Sequence, residues 1–481
     1  MERPLLLMAK QKRQKRINIE RHHFFHQVII FCFVICNMIK RSEILGMNAR
    51  NHVYQSRYNK QKSKKISSSK LLTKSLLKKK KLGVPKLYRM FSSEQSVDKY
   101  DFTRLPESFV VKPAAGLGGE GILVIDRSQE TEEISWITVD KQVVTVDDLK
   151  LHIKDILAGK YSMFDLPDKA FIEERARVHP SFSDISFQGT PDIGVLVFNR
   201  VPVMAFLRLP TKESHGKANM FQGAIACGID MATGVTTKAV KYTTEVKFFP
   251  GTRRRLKGVV IPRWERVLRL AVETAETVGL GFCRVDVVLQ PNKTKAGKLK
   301  SKPMVLEINS QPGLKIQLAN GAGLKRRLER VEGLKVKTVK QGVAIGKQLF
   351  AVRDEAESIQ GGALYVGVFE DVKIKDLMGE SHEVKAKVDT GAFRTSIDEE
   401  LARELGLLDP ENVLWEIGYR SALGREERKV VGVTFYLKGK KIKSSASVSD
   451  RSKLKRRMII GRRDLLGFSV RVRESEAGRE A

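Results

Sequence analysis

A glycine-rich segment between two short apolar runs constrains the fold of this 481-residue chain more than any other feature of its sequence. The segment reads KPAAGLGGEG over residues 112–121, with FVV before it and ILVI after it. Both flanking runs are rich in residues that favour strands. Glycine has no Cβ atom, so a loop of glycines can bring its backbone close to a ligand. The sequence therefore predicts a strand–loop–strand hairpin that can cover an anion.

The same segment satisfies the loose pattern G-x-G-x-x-G, but its context excludes two common phosphate-binding folds. A dinucleotide-binding fold requires a helix to begin at the last glycine, whereas residues 122–125 continue as a strand. A protein kinase requires H-R-D and D-F-G motifs, and the chain contains neither. The remaining interpretation is a glycine flap over phosphate oxygens, with Lys112 beside it as a positive charge.

Three oxygen-bearing side chains fall on two successive strand-like segments, RVDVVL and MVLEIN. Asp286 lies in the first segment, and Glu307 and Asn309 lie two residues apart in the second, so the last two share a face. Such hard oxygen donors suit Mg²⁺ held between protein carboxylates and ATP phosphates. The alternative is that these acids lie on edge strands and pair with nearby lysines. Taken alone, the three residues favour neither reading.

The formal net charge of +33 is concentrated at one end of the chain, because residues 1–90 contain 23 lysines and arginines against 3 acids. Leucines recur at helical spacing within the lysine-rich stretch 60–81, which predicts an amphipathic helix with a cationic face. The stretch has no interleaved aromatic residues, so a solvated helix face is favoured over a nucleic-acid-binding surface.

Compartment and targeting signals are weak. The apolar run 24–39 is shorter than a spanning helix and is not followed by a small-residue cleavage site, which argues against a membrane anchor and against export. Four scattered cysteines do not form a disulfide framework, so a reducing, cytoplasmic compartment is favoured. Residues 1–43 are interpreted as a basic N-terminal extension that is either disordered or a non-native start.

Beyond Pro85, short strand-like runs alternate with amphipathic helices, which is typical of an α+β or α/β domain. The stretch 263–279 places apolar residues on one face and ends at a glycine, so a helix with a glycine C-cap is predicted there. A second helical stretch follows at 323–333. Short strands dominate after Gly361, where we expect a domain boundary.

Six separated blocks carry a resemblance to one superfamily: KPAAGLGGEGILVI, FIEERARVHP, PVMAFLRLPT, GKANMFQGA, RVDVVL and VLEINSQPGL. In this order they resemble ATP-grasp enzymes, specifically proteins related to the ribosomal-protein α-L-glutamate ligases. The resemblance spans residues 44–330, and the segment ILGMNARN places the basic helix within the first subdomain of that family. It implies an α+β fold in which ATP lies between two subdomains, and a carboxylate–amine ligase that works through an acyl phosphate.

The resemblance also implies a role for each residue that matches a family motif. Lys70 and Lys112 would contact phosphates, and Glu173 would hold the adenosine. Arg208 and Asn219 would be catalytic and face the transferring phosphoryl group. The lid glycines would be Gly116, Gly118, Gly119 and Gly121, and the ligands of Mg²⁺ or Mn²⁺ would be Asp286, Glu307 and Asn309. The implied partners are ATP, a glutamate-like amino-acid donor and a protein or peptide acceptor.

The chain departs from the family pattern at three places. Gly194 stands where relatives usually carry an arginine, and N-L-H-Q-G of the family appears as NMFQG at residues 219–223. Serines precede Lys70 where acids are usual. These departures affect the expected substrate more than the expected ATP site.

The C-terminal region contains the triplet Asp389, Thr390 and Gly391, followed about 70 residues later by MIIGRR at 458–463. Together they resemble the single-domain retropepsins, and most closely the bacterial retropepsin-like proteins once named ATP-dependent zinc proteases. Aspartic proteolysis needs two carboxylates sharing a proton, so Asp389 would be catalytic only in a two-fold dimer. Zinc is not expected, because the region offers His382 as its only histidine and no cysteine.

The sequence thus predicts an ATP-grasp α+β fold followed by a small all-β retropepsin-like domain. The expected parts are an extension (1–43), a ligase domain (44–330), a linker (331–362), a peptidase domain (363–475) and a tail (476–481). Three hypotheses compete. They are an active ligase, which is favoured, an aspartic peptidase with an ATP-binding regulatory domain, and a basic ribosome- or nucleic-acid-associated protein.

Overall fold

The computed structural model describes most of the chain, namely residues 40–116, 119–129, 134–162, 165–293, 299–352, 364–421, 424–452 and 454–471. Gly118, the tail at 476–481 and most of the extension expected at 1–43 lie outside the described residues, as do the last ten positions of the expected linker. No helix in these described ranges is long and apolar enough to cross a membrane.

The chain forms two compact units. Unit 1 comprises Met1–Leu196, Met204–Ile229 and Gly234–Arg330. Unit 2 comprises the segments Val197–Val203, Asp230–Thr233 and Val331–Ala481.

Unit 1 contains two sheets and a set of mostly short helices. Its 3₁₀- and π-helical segments are Arg41–Glu43, Ala49–Gln55, Phe102–Arg104 and Pro180–Ile185. Its α-helices are α1 (Ser56–Tyr58), α2 (Gln61–Ser68), α3 (Lys70–Lys79), α4 (Glu94–Asp98), α5 (Val146–Leu157), α6 (Trp264–Val278), α7 (Ile316–Asn320) and α8 (Leu324–Glu329).

The helix predicted over 60–81 is present but is divided into α2 and α3 at Ser69. Ser69 has an extended backbone, with φ −108° and ψ 110°, and its side chain accepts a hydrogen bond from the backbone N–H of Leu72. A serine in this position is an N-cap, so it ends one helix and starts the next. The division also changes the expected face, because Lys74 is buried in α3 while Leu72 is exposed.

The first sheet is antiparallel throughout and has six strands in the order β1-β6-β2-β3-β4-β5. Helix α5 supplies Leu149, Ile153 and Ile156 to its core, at a spacing that places all three on one face of the helix. The strands are β1 (Leu87–Phe91), β2 (Phe109–Pro113), β3 (Leu123–Gln129), β4 (Ser135–Thr138), β5 (Val143–Thr145) and β6 (Ala170–Glu174).

The second sheet has seven strands in the order β11-β10-β9-β8-β7-β12-β13. Every residue of β7 is buried, and Arg208 is the one residue of β8 that is not fully buried. The strands are β7 (Asp192–Phe198), β8 (Val201–Leu209), β9 (Ile225–Ile229), β10 (Thr236–Lys241), β11 (Thr244–Glu245), β12 (Phe282–Lys293) and β13 (Leu299–Asn309).

Helix α6 packs against β12 and β13 and confirms the prediction made for 263–279. Its apolar face is buried, with Val267, Leu268 and Ala271 at 0% exposure. The helix ends at Gly279, whose φ of 78° lies in the left-handed region that glycine adopts without strain. The second predicted helix, at 323–333, is shorter in the structure and forms α8.

Unit 2 is built mainly of strands. Seven of them follow the order β15-β16-β21-β17-β20-β19-β18, and an additional pairing between β15 and β19 closes a ring of six. Part of the segment expected as a linker forms α9, in which Val343 and Ile345 are buried. The elements are β14 (Leu364–Val366), β15 (Phe369–Lys375), β16 (Ser381–Asp389), β17 (Ser396–Asp398), β18 (Val413–Ser421), β19 (Gly424–Leu437), β20 (Lys440–Ser449), β21 (Met458–Gly461), β22 (Phe468–Val470), α9 (Val339–Leu349) and α10 (Glu399–Glu404).

Candidate functional site

A cavity of about 900 Å³ in unit 1 collects most of the residues that the sequence singled out. Its wall includes residues of both sheets, from β2, β3 and β4 of the first to β8, β12 and β13 of the second. The predicted site residues that line it are Lys70, Lys112, Gly116, Gly119, Arg208, Asn219, Asp286, Glu307 and Asn309. Glu173 and Gly121 are not part of the wall.

Glu173 lies beneath the cavity rather than on it, at 0% exposure. Its carboxylate forms ion pairs with Lys74 and with Lys112, the latter at 2.7 Å. Side chains alternate along β6, so Glu173 faces the lysines while Glu174 lines the cavity. Glu173 thus positions Lys112 at the wall. The role of Glu173 in holding the adenosine stays a prediction.

One carboxylate and two lysines share this buried cluster, so one positive charge is left without a full counter-charge. Burial lowers the pKa of Lys74 to about 8 even though Glu173 favours its charged form. Burial would raise the pKa of Glu173, but Lys112 and Lys74 together hold it below its ordinary value. Glu173 is thus ionised at neutral pH. The sequence analysis missed Lys74, which the helical pattern had assigned to a solvated face.

Strands β2 and β3, on either side of the glycine segment, pair antiparallel, which confirms the predicted strand–loop–strand arrangement. Gly119 and Gly121 have φ values of 83° and 69°, and a Cβ atom at Gly121 would lie 2.6 Å from the Tyr161 ring. Glycine is therefore required for both conformation and space. The Lys70 Nζ atom donates a hydrogen bond of 2.8 Å to the Gly116 carbonyl, so α3 and the start of the flap are joined.

The other end of the cavity contains a network of two arginines and two aspartates. Arg208 donates to both oxygens of Asp192, at 2.6 and 2.7 Å, and to Asp286 at 2.9 Å. Arg284 donates to both oxygens of Asp286, each at 2.7 Å. Bidentate pairs of this kind fix the plane of a guanidinium as well as its position. Arg208 is therefore held rigidly where its remaining N–H groups can face a ligand.

The two aspartates differ in their electrostatic environment. Burial would raise the pKa of Asp286, but Arg208 and Arg284 outweigh it and hold the pKa well below its usual range. Burial raises the pKa of Asp192, and the nearby negative charge of Asp286 adds to this effect against the attraction of Arg208. Asp286 is accordingly the carboxylate that stays ionised over the whole range of physiological pH.

The three predicted metal ligands lie side by side on β12 and β13. Asp286 is directly opposite Glu307, and Arg284 is opposite Asn309, so all four face the same side of the sheet. The Glu307 side chain is 42% exposed and lies 3.9 Å from Arg284. Asn309 accepts a hydrogen bond of 2.8 Å from the Gln311 backbone. Within the described residues, Asp286 and Glu307 form ion pairs with arginines, and Glu307 also interacts electrostatically with Lys70. The alternative, that these are edge-strand acids paired with lysines, stays open.

Arg284 also explains why Gly194 lies on β7. A Cβ atom at Gly194 would clash with the Phe206 ring and would lie 3.2 Å from the Arg284 side chain. The Arg284 side chain, on the neighbouring strand β12, thus lies close to this position. A sequence signal for Arg284 was available, because Arg284 and Asp286 are two residues apart and share one face of a strand.

A second wall segment is formed by the residues around Asn219 and by the loop after β13. Asn219 accepts a hydrogen bond of 3.0 Å from the Phe221 backbone. The Lys315 Nζ atom lies 3.8 Å from the centre of the Phe221 ring, and both residues line the cavity. The sequence analysis noted Phe221 as a departure but did not identify Lys315.

In unit 2, Asp389 lies at the end of β16, beside the MIIG segment that forms β21. The two strands pair in parallel, with Asp389 opposite Gly461. One Asp389 oxygen accepts hydrogen bonds from the backbone of Gly391 at 2.9 Å and Ala392 at 3.1 Å. Thr395 connects the loop to β21 by accepting from Gly461 N–H and donating to buried Asp464 at 2.6 Å.

His382, the histidine considered for zinc, is exposed on the same unit. Its Nε2 atom lies 2.8 Å from an oxygen of Asp376, and Glu380 offers a third ligand atom within 4.8 Å of the others. Exposed acidic groups of this kind are common in proteins without a metal ion.

The chain was compared with known proteins. No curated protein matches the chain. Among solved structures, the ATP-grasp ligase PsnB bound to a minimal precursor is 15% identical, with a TM-score of 0.30, over 57% of this chain and 62% of PsnB. The D-alanine–D-alanine ligase of Bacillus anthracis bound to ATP is 15% identical, with a TM-score of 0.30, over 60% of this chain and 67% of that ligase. The protease of simian foamy virus is 18% identical, with a TM-score of 0.16, over 20% of this chain and 90% of the protease.

The chain therefore spans less than two thirds of the length of PsnB. The sequence profile of the sugar-transfer associated ATP-grasp family matches residues 49–333, more than half of the chain. The chain belongs to the sugar-transfer associated ATP-grasp family.

Proposed function

We propose that unit 1 is an ATP- and Mg²⁺-dependent carboxylate–amine ligase that joins a glutamate-like amino acid to a protein or peptide in the cytoplasm. One observation supports this proposal above all others. A single cavity combines a glycine flap with lysines on one wall and an arginine–carboxylate network on another. The first set suits the phosphates of ATP, and the second suits the group to which the terminal phosphate is transferred.

ATP fits the flap side of the cavity in size and charge. A volume of about 900 Å³ is at the upper end of the usual range for small-molecule sites. Lys112 is held at the wall by Glu173, and Lys70 is held by the Gly116 carbonyl. Both would act as charges for phosphate oxygens. The flap backbone between β2 and β3 would approach the same oxygens without interference from side chains.

The donor set on β12 and β13 fits Mg²⁺. Asp286 accepts three hydrogen bonds from two arginines, which leaves its Oδ1 atom with capacity for one more partner. Glu307 is half exposed and Asn309 also faces the cavity, so hard oxygen atoms converge there. These three residues would hold the ion, which when bound neutralises charge on the phosphates of ATP.

The reaction that we propose has two steps. An oxygen of the substrate carboxylate attacks the terminal phosphorus of ATP, which forms an acyl phosphate and releases ADP. An amine then attacks the acyl carbon, loses a proton and expels inorganic phosphate, which leaves an amide. Arg208 is fixed by Asp192 and Asp286, so its guanidinium stabilises charge on the transferred group without reorganising. Asn219, on the same wall, would orient that group.

Trapping the acyl phosphate with hydroxylamine tests this proposal. With ATP, Mg²⁺ and glutamate, the wild-type protein should form a hydroxamate. Glu307→Gln should reduce the rate of hydroxamate formation by about 10²-fold or more, because Glu307 would hold the ion that neutralises charge on the phosphates. Glu329→Gln is the matched control, since Glu329 is exposed on α8 and pairs with Lys325. Equal hydroxamate formation by Glu307→Gln and wild type would contradict the proposal.

Unit 2 favours a second candidate function, a retropepsin-like aspartic peptidase. The specific observation is the cradle of backbone N–H groups that fixes Asp389 beside β21. One carboxylate cannot act as both acid and base, so activity would require a dimer that brings together two copies of Asp389. Cleavage of a peptide pool that Asp389→Asn abolishes would support this function. Cleavage that survives the substitution would contradict it.

A further inference from the structure

Lys315 is a half-buried cation on the cavity wall that has no acidic partner among the described residues. The two arginines at this end of the cavity are paired, since Arg208 binds two aspartates and Arg284 binds Asp286. A half-buried ammonium group without a counter-charge is unfavourable in a protein of marginal stability. Such a group is usually retained where a ligand supplies the missing charge.

The Phe221 ring holds Lys315 in place. The Nζ atom lies 3.8 Å from the ring centre, within the range of a cation–π interaction. Phe221 is itself 59% exposed, so the pair stands at the surface of the cavity and is not part of the core. Burial lowers the pKa of Lys315 to about 8, which shows that the charged form is incompletely compensated by the protein alone.

The position of this pair indicates which ligand group it meets. Phe221 is two residues from Asn219, and Lys315 lies in the loop that follows Asn309 at the end of β13. The pair therefore joins the two segments that flank the proposed site of phosphoryl transfer. Lys70 and Lys112, which would serve the phosphates, come from α3 and β2.

We propose that Lys315 binds a second carboxylate of the substrate, one that does not react, so that the cavity selects a dicarboxylic amino acid. This inference rests on the proposed ligase function and assigns its specificity to a residue. Arg208 and the proposed metal site would bind the carboxylate that reacts. A neutral amide in place of the second carboxylate would leave Lys315 without a counter-charge. The cavity should therefore bind the amide less tightly than the acid.

Calorimetry on the full-length protein tests the inference without turnover. With Mg²⁺ and a non-hydrolysable ATP analogue present, the wild type should bind L-glutamate or L-aspartate at least about tenfold more tightly than the matching amide. A charge-assisted hydrogen bond to Lys315 accounts for a difference in affinity of this size. Lys315→Met should reduce this ratio to about twofold or less, whereas Lys315→Arg should preserve most of it. Lys325→Met, an exposed lysine on α8 paired with Glu329, should behave like the wild type.

Three results would overturn the inference. The first is a wild type that shows no preference for the acids over the amides, or that binds neither acid. The second is a Lys315→Met variant whose ratio of acid affinity to amide affinity is unchanged. The third is a Lys315→Met variant that loses affinity for the ATP analogue alone. The last result would mean that Lys315 serves a phosphate. Failure of the ligase function is a separate outcome, because it is read from product formation. If the protein binds the acids in a way that depends on Lys315 but forms no amide, the ligase function is refuted and the inference about Lys315 stands.

Discussion

At the scale of single residues, Gly194 and Arg284 show how the network at the end of the cavity depends on space as well as on charge. Arg284 reaches Asp286 from the same strand, and its side chain passes close to the missing Cβ atom of Gly194. Any side chain at position 194 must displace either Phe206 or Arg284. Well-packed sites respond to such insertions with strain that destabilises the fold.

Gly194→Ala should therefore lower the free energy of unfolding by about 1–3 kcal/mol. It should also weaken ATP turnover where the added methyl group displaces Arg284, which binds Asp286. Denaturant unfolding and ADP release measure the two effects. Gly46→Ala is the control, since nothing lies within 4 Å of a Cβ atom there. Equal stability of the two variants would show that the site accommodates a methyl group.

Glu173 gives the second prediction at this scale. Glu173→Gln leaves Lys74 and Lys112 without their shared counter-charge, so the free energy of unfolding should fall by about 3–5 kcal/mol. The pKa of Glu173 is lowered by folding, so its stabilisation is present above the ordinary value of 4.5 and is lost as the pH falls below it. The difference in Tm between wild type and variant should shrink accordingly on acidification.

A matched control is Glu213→Gln, since Glu213 pairs with Lys241 at the exposed surface. An exposed ion pair contributes about 0–1 kcal/mol, so this change should alter Tm little at any pH. A difference between wild type and Glu173→Gln that does not change with pH would argue against an ionised Glu173.

At the scale of elements, the division between α2 and α3 determines which lysines reach the cavity. Ser69 caps α3 through the Leu72 backbone at 3.3 Å and turns Lys74 toward Glu173. Ser69→Ala should lower the free energy of unfolding by about 1 kcal/mol. Ser68→Ala lies within α2 and should change it by less than about 0.5 kcal/mol. Equal effects in thermal unfolding would mean that Ser69 does not act as a cap.

The elements also show what the sequence could and could not predict. The flap hairpin and helix α6 followed from local periodicity and glycine placement, and both are present. The register that sets Asp286 opposite Glu307 agrees with the convergence expected from their strands. The contact between Glu173 and Lys74 was not predicted, because it joins residues 99 positions apart, which no local pattern reports. The break at Ser69 was missed because the lysine-rich stretch continues across it.

At the scale of the whole molecule, the net charge of +33 is an overall sum that does not show how charges are arranged within each unit. In unit 1, the buried arginines pair with Asp192 and Asp286, Lys74 and Lys112 share Glu173, and Lys315 is a cation that a ligand would neutralise. The charge therefore supports an acidic substrate of the cavity. A nucleic-acid-binding role would predict RNA affinity that falls steeply with salt.

The two units are predicted to carry separate chemistries. Asp389 belongs to unit 2, and the residues of the cavity belong to unit 1. Substitutions at Asp389 should therefore leave ATP turnover unchanged, and Glu307→Gln should leave any peptide cleavage unchanged. Loss of both activities in either variant would mean that the units do not act independently.

The most direct test of the central claim is the ratio of ADP to new amide formed with ATP, Mg²⁺, glutamate and a candidate peptide acceptor, followed by nucleotide assay and mass spectrometry. The ligase account predicts one ADP for each amide, with both products lost in Glu307→Gln or without Mg²⁺, and both kept in Asp389→Asn. ADP that accumulates without any amide, or at an equal rate in Glu307→Gln, would contradict it.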